Sequence, residues 1–224
     1  NGTVGISVYG GVRSETVLIN HAELWHGGLK GELPDVGGLL PDIRKRMRDG
    51  DFMAAKTMLT EALAERGYDS KRELPLPLGD LKVTMPAHDG FRRYRRSLEM
   101  ETGEVSVRWE SADIAYERTL FVSRRDDLVV CELRAHGGTI EADIGLMPHD
   151  MAESSPSIPA CVSASAQTVA DGGFLSYAAT NDDGRDFGAV LRVIPNGGRV
   201  DAADGTVRIS GTDRALLLLK TFVR

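Results

Sequence analysis

The sequence is short of cysteine, of aromatic residues and of any long apolar run, and each shortage closes a route. Two cysteines, Cys131 and Cys161, in 224 residues are too few for a disulfide-built scaffold and cannot hold a zinc ion unaided. Both sit in apolar, strand-like surroundings, which predicts buried free thiols. The longest apolar stretch, Ala215-Leu-Leu-Leu-Leu219, is bounded by Arg214 and Lys220 and falls far short of the roughly 20 residues that span a bilayer. It reads as a core strand, and no membrane partner is expected. Aromatic residues make up 6% of the chain, with tryptophan only at 25 and 109. That scarcity speaks against a free-standing sugar-binding module with a row of exposed rings.

Charge of one sign is not gathered anywhere either. The net charge of −6 comes from scattered acids and bases, so no electrostatic footprint for nucleic acid exists. The one basic cluster, Phe91-Arg-Arg-Tyr-Arg-Arg96, alternates like a strand and reads as a solvated, salt-bridged face. No signal peptide is visible, yet the chain begins on a motif, so compartment stays open between cytoplasm and export.

What the chain has is alternation punctuated by turns. Residues 3 to 9 and 12 to 20 read as opening strands joined by Gly10-Gly11, where positive φ or close backbone approach is needed. From Leu81 onward short strands recur: Leu81 to Met85, Glu104 to Glu110, Ile114 to Val122, Leu128 to Ala135 and Thr139 to Met147. They continue with Cys161 to Val169, Phe174 to Thr180, Phe187 to Ile194, Thr206 to Ser210 and Ala215 to Phe222. Asp171-Gly172-Gly173, Asp182-Asp183-Gly184, Asn196-Gly197-Gly198 and Asp204-Gly205 supply hairpin turns. So many short strands predict a mainly β fold, a large antiparallel β-sandwich. Two helices interrupt it at about residues 41–66. Pro41 opens the first, with Ile43 and Met47 one turn apart, and Phe52, Ala55, Met58, Leu59, Ala62 and Leu63 share a face of the second. Three prolines and three serines between Pro148 and Pro159 predict a long loop within one domain covering 1–224. The glycine-rich stretch from Trp25 to Gly38 predicts a surface or interface loop.

Chemistry is harder to place. His21, Glu23 and His26 suggest a metal site, but their offset of five does not put two imidazoles on one helical face, and a hydrogen-bonding role fits better. Asn181-Asp-Asp-Gly-Arg-Asp186 gathers carboxylates without the spacing of a calcium loop and reads as a turn. No cofactor is implied.

Several segments carry a resemblance in fixed order: Asn1-Gly-Thr-Val-Gly-Ile-Ser-Val-Tyr-Gly-Gly11 with Glu15, Leu18-Ile-Asn-His-Ala-Glu-Leu-Trp-His-Gly-Gly28, Leu40-Pro-Asp-Ile-Arg44 leading into Asp49-Gly-Asp-Phe-Met-Ala-Ala55, Pro77-Leu-Gly-Asp-Leu81, Tyr94-Arg-Arg-Ser-Leu-Glu-Met-Glu-Thr-Gly103, and Tyr116-Glu-Arg118 before Phe121-Val-Ser123. The chain resembles the N-terminal domain of family-95 glycoside hydrolases, the α-L-fucosidase and α-L-galactosidase group. It departs from that pattern at His21, where relatives carry Glu, and at His26, where they carry a small polar residue.

The resemblance implies a β-sandwich that precedes an (α/α)6 barrel, with the catalytic groups on the barrel. The expectation is therefore a non-catalytic domain of a bacterial glycosidase, inactive alone, whose partner is the C-terminal barrel of the same polypeptide. Asn20, Glu23, Trp25 and His26 are the candidate rim or interface residues, and carbohydrate is a candidate ligand. The alternatives are a stand-alone carbohydrate-binding module and the N-terminal domain of a glycoside phosphorylase. A sandwich without its barrel should expose an apolar interface, with residues 25–40 and the C-terminal strand as candidates, and self-associate.

Overall fold

The structure, a computed structural model, describes residues 1–26, 32–68, 74–86, 90–149, 167–181 and 183–224, with backbone alone at His26 and Leu74. The described residues hold two antiparallel sheets and two helices. Numbered along the chain, the six-stranded sheet runs β1 (Val4–Val8), β2 (Ser14–His26), β3 (Leu74–Thr84), β8 (Ile140–Met147), β13 (Thr206–Thr212) and β12 (Arg199–Ala203). The eight-stranded sheet runs β4 (Arg92–Glu99), β5 (Glu104–Ser111), β6 (Ile114–Val122), β7 (Val129–His136), β14 (Arg214–Val223), β11 (Asp186–Pro195), β10 (Phe174–Thr180) and β9 (Gln167–Asp171).

Period-two alternation places one side of each strand in the core. Val129, Cys131, Leu133 and Ala135 of β7, Phe187, Ala189, Leu191 and Val193 of β11, and Ala215, Leu217 and Leu219 of β14 line the inner face of the larger sheet. Val17 and Ile19 of β2, alternate residues of β8, and Val207 and Ile209 of β13 face them. The mainly β sandwich expected from the sequence is what the chain forms.

Boundaries moved where side-chain chemistry misleads. β3 begins seven residues before the expected Leu81 and runs through Pro75 and Pro77. Its register with β8 is set only from Asp80 to Thr84, so the prolines lie where no donor is needed on that side. β2 extends to His26, absorbing Trp25 from the expected loop. The hairpin between β5 and β6 turns on Ala112 and Asp113, at φ 48° and 61°, a left-handed pair with no glycine to announce it. β14, the C-terminal strand, lies between β7 and β11 and is therefore not an edge of its sheet.

Residues Gly27–Leu74 form a second compact unit. Within it a single 3-10 turn (Gly37–Leu39) leads into α1 (Leu40–Arg48), and α2 spans Phe52–Ala64. Pro41 sits in the first turn of α1, where its missing donor costs nothing. Asp51 caps α2 by accepting the Ala54 N–H at 3.2 Å. Ile43, Ala55, Ala62 and Leu63 are buried, while Met47 and Phe52 are exposed. No described helix is long and apolar enough to cross a membrane. The expected loop at Pro148–Pro159 beyond His149, the strand start at Cys161 and the glycines at 27, 28 and 31 lie outside the described residues.

Candidate functional site

The expected rim residues occupy the end of β2. β1 pairs with β2 only as far as His21, opposite Val4, so residues 22–26 run on past it. Leu24 is fully buried, which turns Glu23 and Trp25 outward. Two side chains from the turn between β10 and β11 hold this end: Asn181 Nδ2 donates to the Trp25 carbonyl at 2.8 Å and Arg185 Nη1 to the Glu23 carbonyl at 3.0 Å. Trp25 Nε1 donates to the Ala22 carbonyl at 2.7 Å, which fixes the indole while leaving it 39% exposed. Asn20 is half-buried opposite Gly5. His26 closes the strand, and its side chain lies outside the described residues. His21 Nδ1 accepts the Glu23 N–H at 3.3 Å, the hydrogen-bonding role expected of it.

The Asn181–Asp186 segment is a turn, as read. Thr180 pairs with Asp186 across it, the Asn181 N–H donates to the Arg185 carbonyl at 2.9 Å, and Asp183 accepts both the N–H and Nε of Arg185 at 3.0 and 2.6 Å. Those bonds to Arg185, after the opposing cost of burial, leave the Asp183 carboxyl below its ordinary range. Asp182 is outside the described residues.

A second constellation was not anticipated as a site. The β1–β2 loop crosses to the larger sheet and is fastened there by the very segments that carry the sequence resemblance. Tyr94 Oη donates to the Gly10 carbonyl at 2.9 Å, and Arg96 Nη1 donates to the Tyr9 carbonyl at 2.7 Å. Glu15 Oε1 accepts the N–H groups of Gly10 and Thr16 at 2.8 and 3.0 Å, and Arg118 Nη1 donates to Glu15 Oε2 at 2.5 Å and to the Gly11 carbonyl at 3.0 Å. Both charged side chains are wholly buried. Gly10, at φ 81°, leaves no room for a side chain, since a Cβ would lie 2.6 Å from Tyr94 Oη. The basic cluster thus divides: Arg92 and Arg93 pair with Glu110 on the solvated side, whereas Tyr94 and Arg96 reach across to the loop. Glu15 shares the inward register of Val17 and Ile19, and Arg118 that of Leu120. Opposite charges at inward positions of two strands were the available signal.

The third polar cluster surrounds Asp80 of β3. It is 3% exposed, lies 2.9 Å from His149 Nδ1 and 3.4 Å from Lys82 Nζ, and Lys82 donates to Thr16 Oγ1 at 2.6 Å. Glu15 and Asp80 are the buried acids among the described residues, and each is held by a cation or imidazole. No group of three or more His, Cys, Asp or Glu with metal-holding geometry occurs among the described residues.

The class these features define is a large two-sheet antiparallel β-sandwich domain with a helical insertion. Residues 1–221 match the family described as "Glycosyl hydrolase family 65, N-terminal domain", and the chain belongs to that family. Among curated proteins it is similar to "Alpha-L-fucosidase 2" of Arabidopsis thaliana, with 26% identity over 239 residues covering 98% of this chain and 27% of that protein. It is also similar to "Probable alpha-fucosidase A" of Aspergillus niger, with 26% identity over 151 residues covering 65% of this chain and 18% of that protein. The chain therefore spans about a quarter or less of the length of these relatives, which come from a plant and a fungus. A solved structure, "Putative kojibiose phosphorylase from human microbiome", aligns with a TM-score of 0.49 and 8% identity, over 97% of this chain and 30% of that one. The chain is thus an N-terminal domain of the glycoside hydrolase class. The matching family model carries the number 65, whereas the motif resemblance is to family 95.

Proposed function

We propose that this chain is the supporting N-terminal sandwich of a longer α-L-fucosidase-type glycoside hydrolase, and that it carries none of the catalytic groups itself. The observation that carries this reading is the alignment of 98% of the chain with only 27% of a protein named as an α-L-fucosidase. Cleaving a glycosidic bond requires two carboxyl groups flanking it, one kept protonated by its surroundings and both accessible to substrate. The buried acids here fit structural work instead, since Glu15 is sealed against Arg118 and Asp80 against His149 and Lys82. In this reading the catalytic groups belong to a helical barrel further along the same polypeptide. The Trp25 end of β2, anchored by Asn181 and Arg185, is the part of the sandwich suited to meet that barrel or to shape the rim of its active site.

An aryl α-L-fucoside assay on residues 1–224 and on the longer polypeptide tests the reading. Turnover is expected only from the longer polypeptide. Turnover by residues 1–224 that one carboxylate substitution abolishes would overturn it.

A further inference from the structure

The outer face of the eight-stranded sheet has two halves of opposite character. Over β5 and β6 it carries Ser106, Arg108, Glu110, Glu117 and Thr119, the polar side of strands whose Val107, Trp109 and Leu120 are buried. Over β7, β14, β11, β10 and β9 that alternation fails. Leu217 and Leu219 of β14 point into the core, while Leu216 and Leu218 point the other way and are half-buried. The ladder sets Val130, Leu218, Arg192 and Phe174 side by side in one row, Leu216 beside Ile194 in the next, and Val190 beside Ser176 and Val169 in a third. Val169, Phe174, Val190 and Ile194 stand open, at 60%, 47%, 43% and 38% exposure. Five strands about 4.8 Å apart and three rows about 7 Å apart make a patch of roughly 400 Å², the size that marks a contact site on a soluble domain. An apolar run on both sides of a strand is the pattern of a sheet covered on both faces. The border is polar, with Arg214 holding Glu132 and Lys220 holding Asp127 at 2.7 Å, as around a protein contact. Within the middle row the Arg192 guanidinium lies 5.2 Å from the Phe174 ring centroid and has no acidic partner among the described residues.

A second copy of this chain is a poor cover for the patch. Face against face, it would bring two Arg192 guanidinium groups into one apolar contact, where like charges repel more strongly than in water. The patch is also only about half of what a stable interface of standard size buries on each partner. A tethered segment escapes both limits, because linkage raises its effective concentration and its own sequence can place an acid opposite Arg192. The relatives are long enough to hold such a segment, since this chain matches 27% of the Arabidopsis protein. We propose that the outer face of β7, β14, β11, β10 and β9 is the docking surface for the remainder of the longer polypeptide, which lays an apolar helical face over Leu218 and sets a carboxylate against Arg192. This rests on the reading above, in which a helical segment follows the sandwich, and helices are a common cover for a sheet face. At one end the patch approaches the β10–β11 turn, whose Asn181 and Arg185 hold the Trp25 end of β2, so the two contacts adjoin.

The test is thiol labelling at single sites, read by peptide mass, in residues 1–224 and in the longer polypeptide. Val190→Cys and Phe174→Cys report on the patch, and Arg95→Cys, opposite Arg108 on the charged half of the same face, is the control. In dilute residues 1–224 all three should label rapidly. In the longer polypeptide the two patch sites should label at least tenfold more slowly, with the Arg95→Cys rate unchanged. Arg192→Glu, a change at an exposed position, should raise patch labelling in the longer polypeptide at least tenfold, and no rise would overturn the carboxylate contact. Patch labelling as fast in the longer polypeptide as in residues 1–224 would overturn the proposal, and so would protection in dilute residues 1–224, the mark of a tightly bound second copy. Equal labelling alongside fucoside turnover by the longer polypeptide removes the docking face and leaves the hydrolase reading. Protection without that turnover does the reverse.

Discussion

Glu15 and Arg118 occupy positions where strand alternation would ordinarily place apolar side chains, and each would be costly there alone. Together they satisfy each other, two backbone groups of the β1–β2 loop and the Thr16 N–H of β2, although Arg118 Nε and Nη2 find no hydrogen-bond partner among the described residues. Removing one member leaves a buried charge uncompensated, so Glu15→Ala and Arg118→Ala should each lower the unfolding free energy by about 3–5 kcal/mol. Denaturant melts of the two single variants and the double variant check this. The double variant should lose less than the sum. Gly11→Ala should be poorly tolerated for a different reason, because its Cβ would fall 2.0 Å from the Ser14 carbonyl oxygen, a backbone atom that cannot swing aside. Cys131 tests the core nearby. Burial, only partly opposed by Arg118, pushes its thiol pKa up to about 12, so the reactive thiolate is scarce at pH 8. In a Cys161→Ser chain, a thiol reagent should label Cys131 only as fast as the sandwich opens. Immediate labelling of the folded chain would contradict the burial described.

Between elements, exposed cross-strand ion pairs mark register more than they add stability. Arg208 of β13 faces Asp143 of β8 in the ladder and holds it with two hydrogen bonds at 2.7 and 2.8 Å. The bond from Arg208 keeps the Asp143 carboxyl below its ordinary pKa, and Lys220, then Asn1, do the same for Asp127. A carboxylate with a lowered folded-state pKa contributes stability that is fully present above the unfolded value near 4 and is lost as pH falls through the folded value. The thermal midpoint should therefore drop as pH falls from about 5 towards 3. Arg208→Ala should shrink part of that drop, and added salt should shrink more.

Elements were legible wherever alternation and a turn signal coincided. β6 and β10 begin and end at the residues the pattern marked, α1 begins one residue before Pro41, and α2 begins at Phe52, the first residue of its apolar face. β12 escaped because Arg199–Ala203 has only Val200 to alternate and is largely exposed. β4 showed as alternation inside a basic cluster, but its arginines suggested only a solvated face. On an edge strand they also discourage pairing with other chains. The Glu15–Arg118 pair was present in the motifs Gly10-Gly11, Glu15 and Tyr116-Glu-Arg118, yet their joint purpose requires two strands 103 residues apart to meet. Asp80 and His149 escaped for the same reason, being 69 residues apart.

For the whole molecule, three of the motifs that suggest a glycosidase family, at residues 1–15, 94–103 and 116–118, fasten one loop of a sandwich. They testify to architecture more directly than to chemistry. That is why the sequence led to the N-terminal domain of a glycoside hydrolase. The proposed supporting role has a direct consequence for the longer polypeptide that this proposal requires. The segment following residue 224, produced separately, should be deficient in fucoside turnover and in thermal stability, and adding or co-expressing residues 1–224 should restore both. A following segment that is as active and as stable alone as the intact polypeptide would contradict the account.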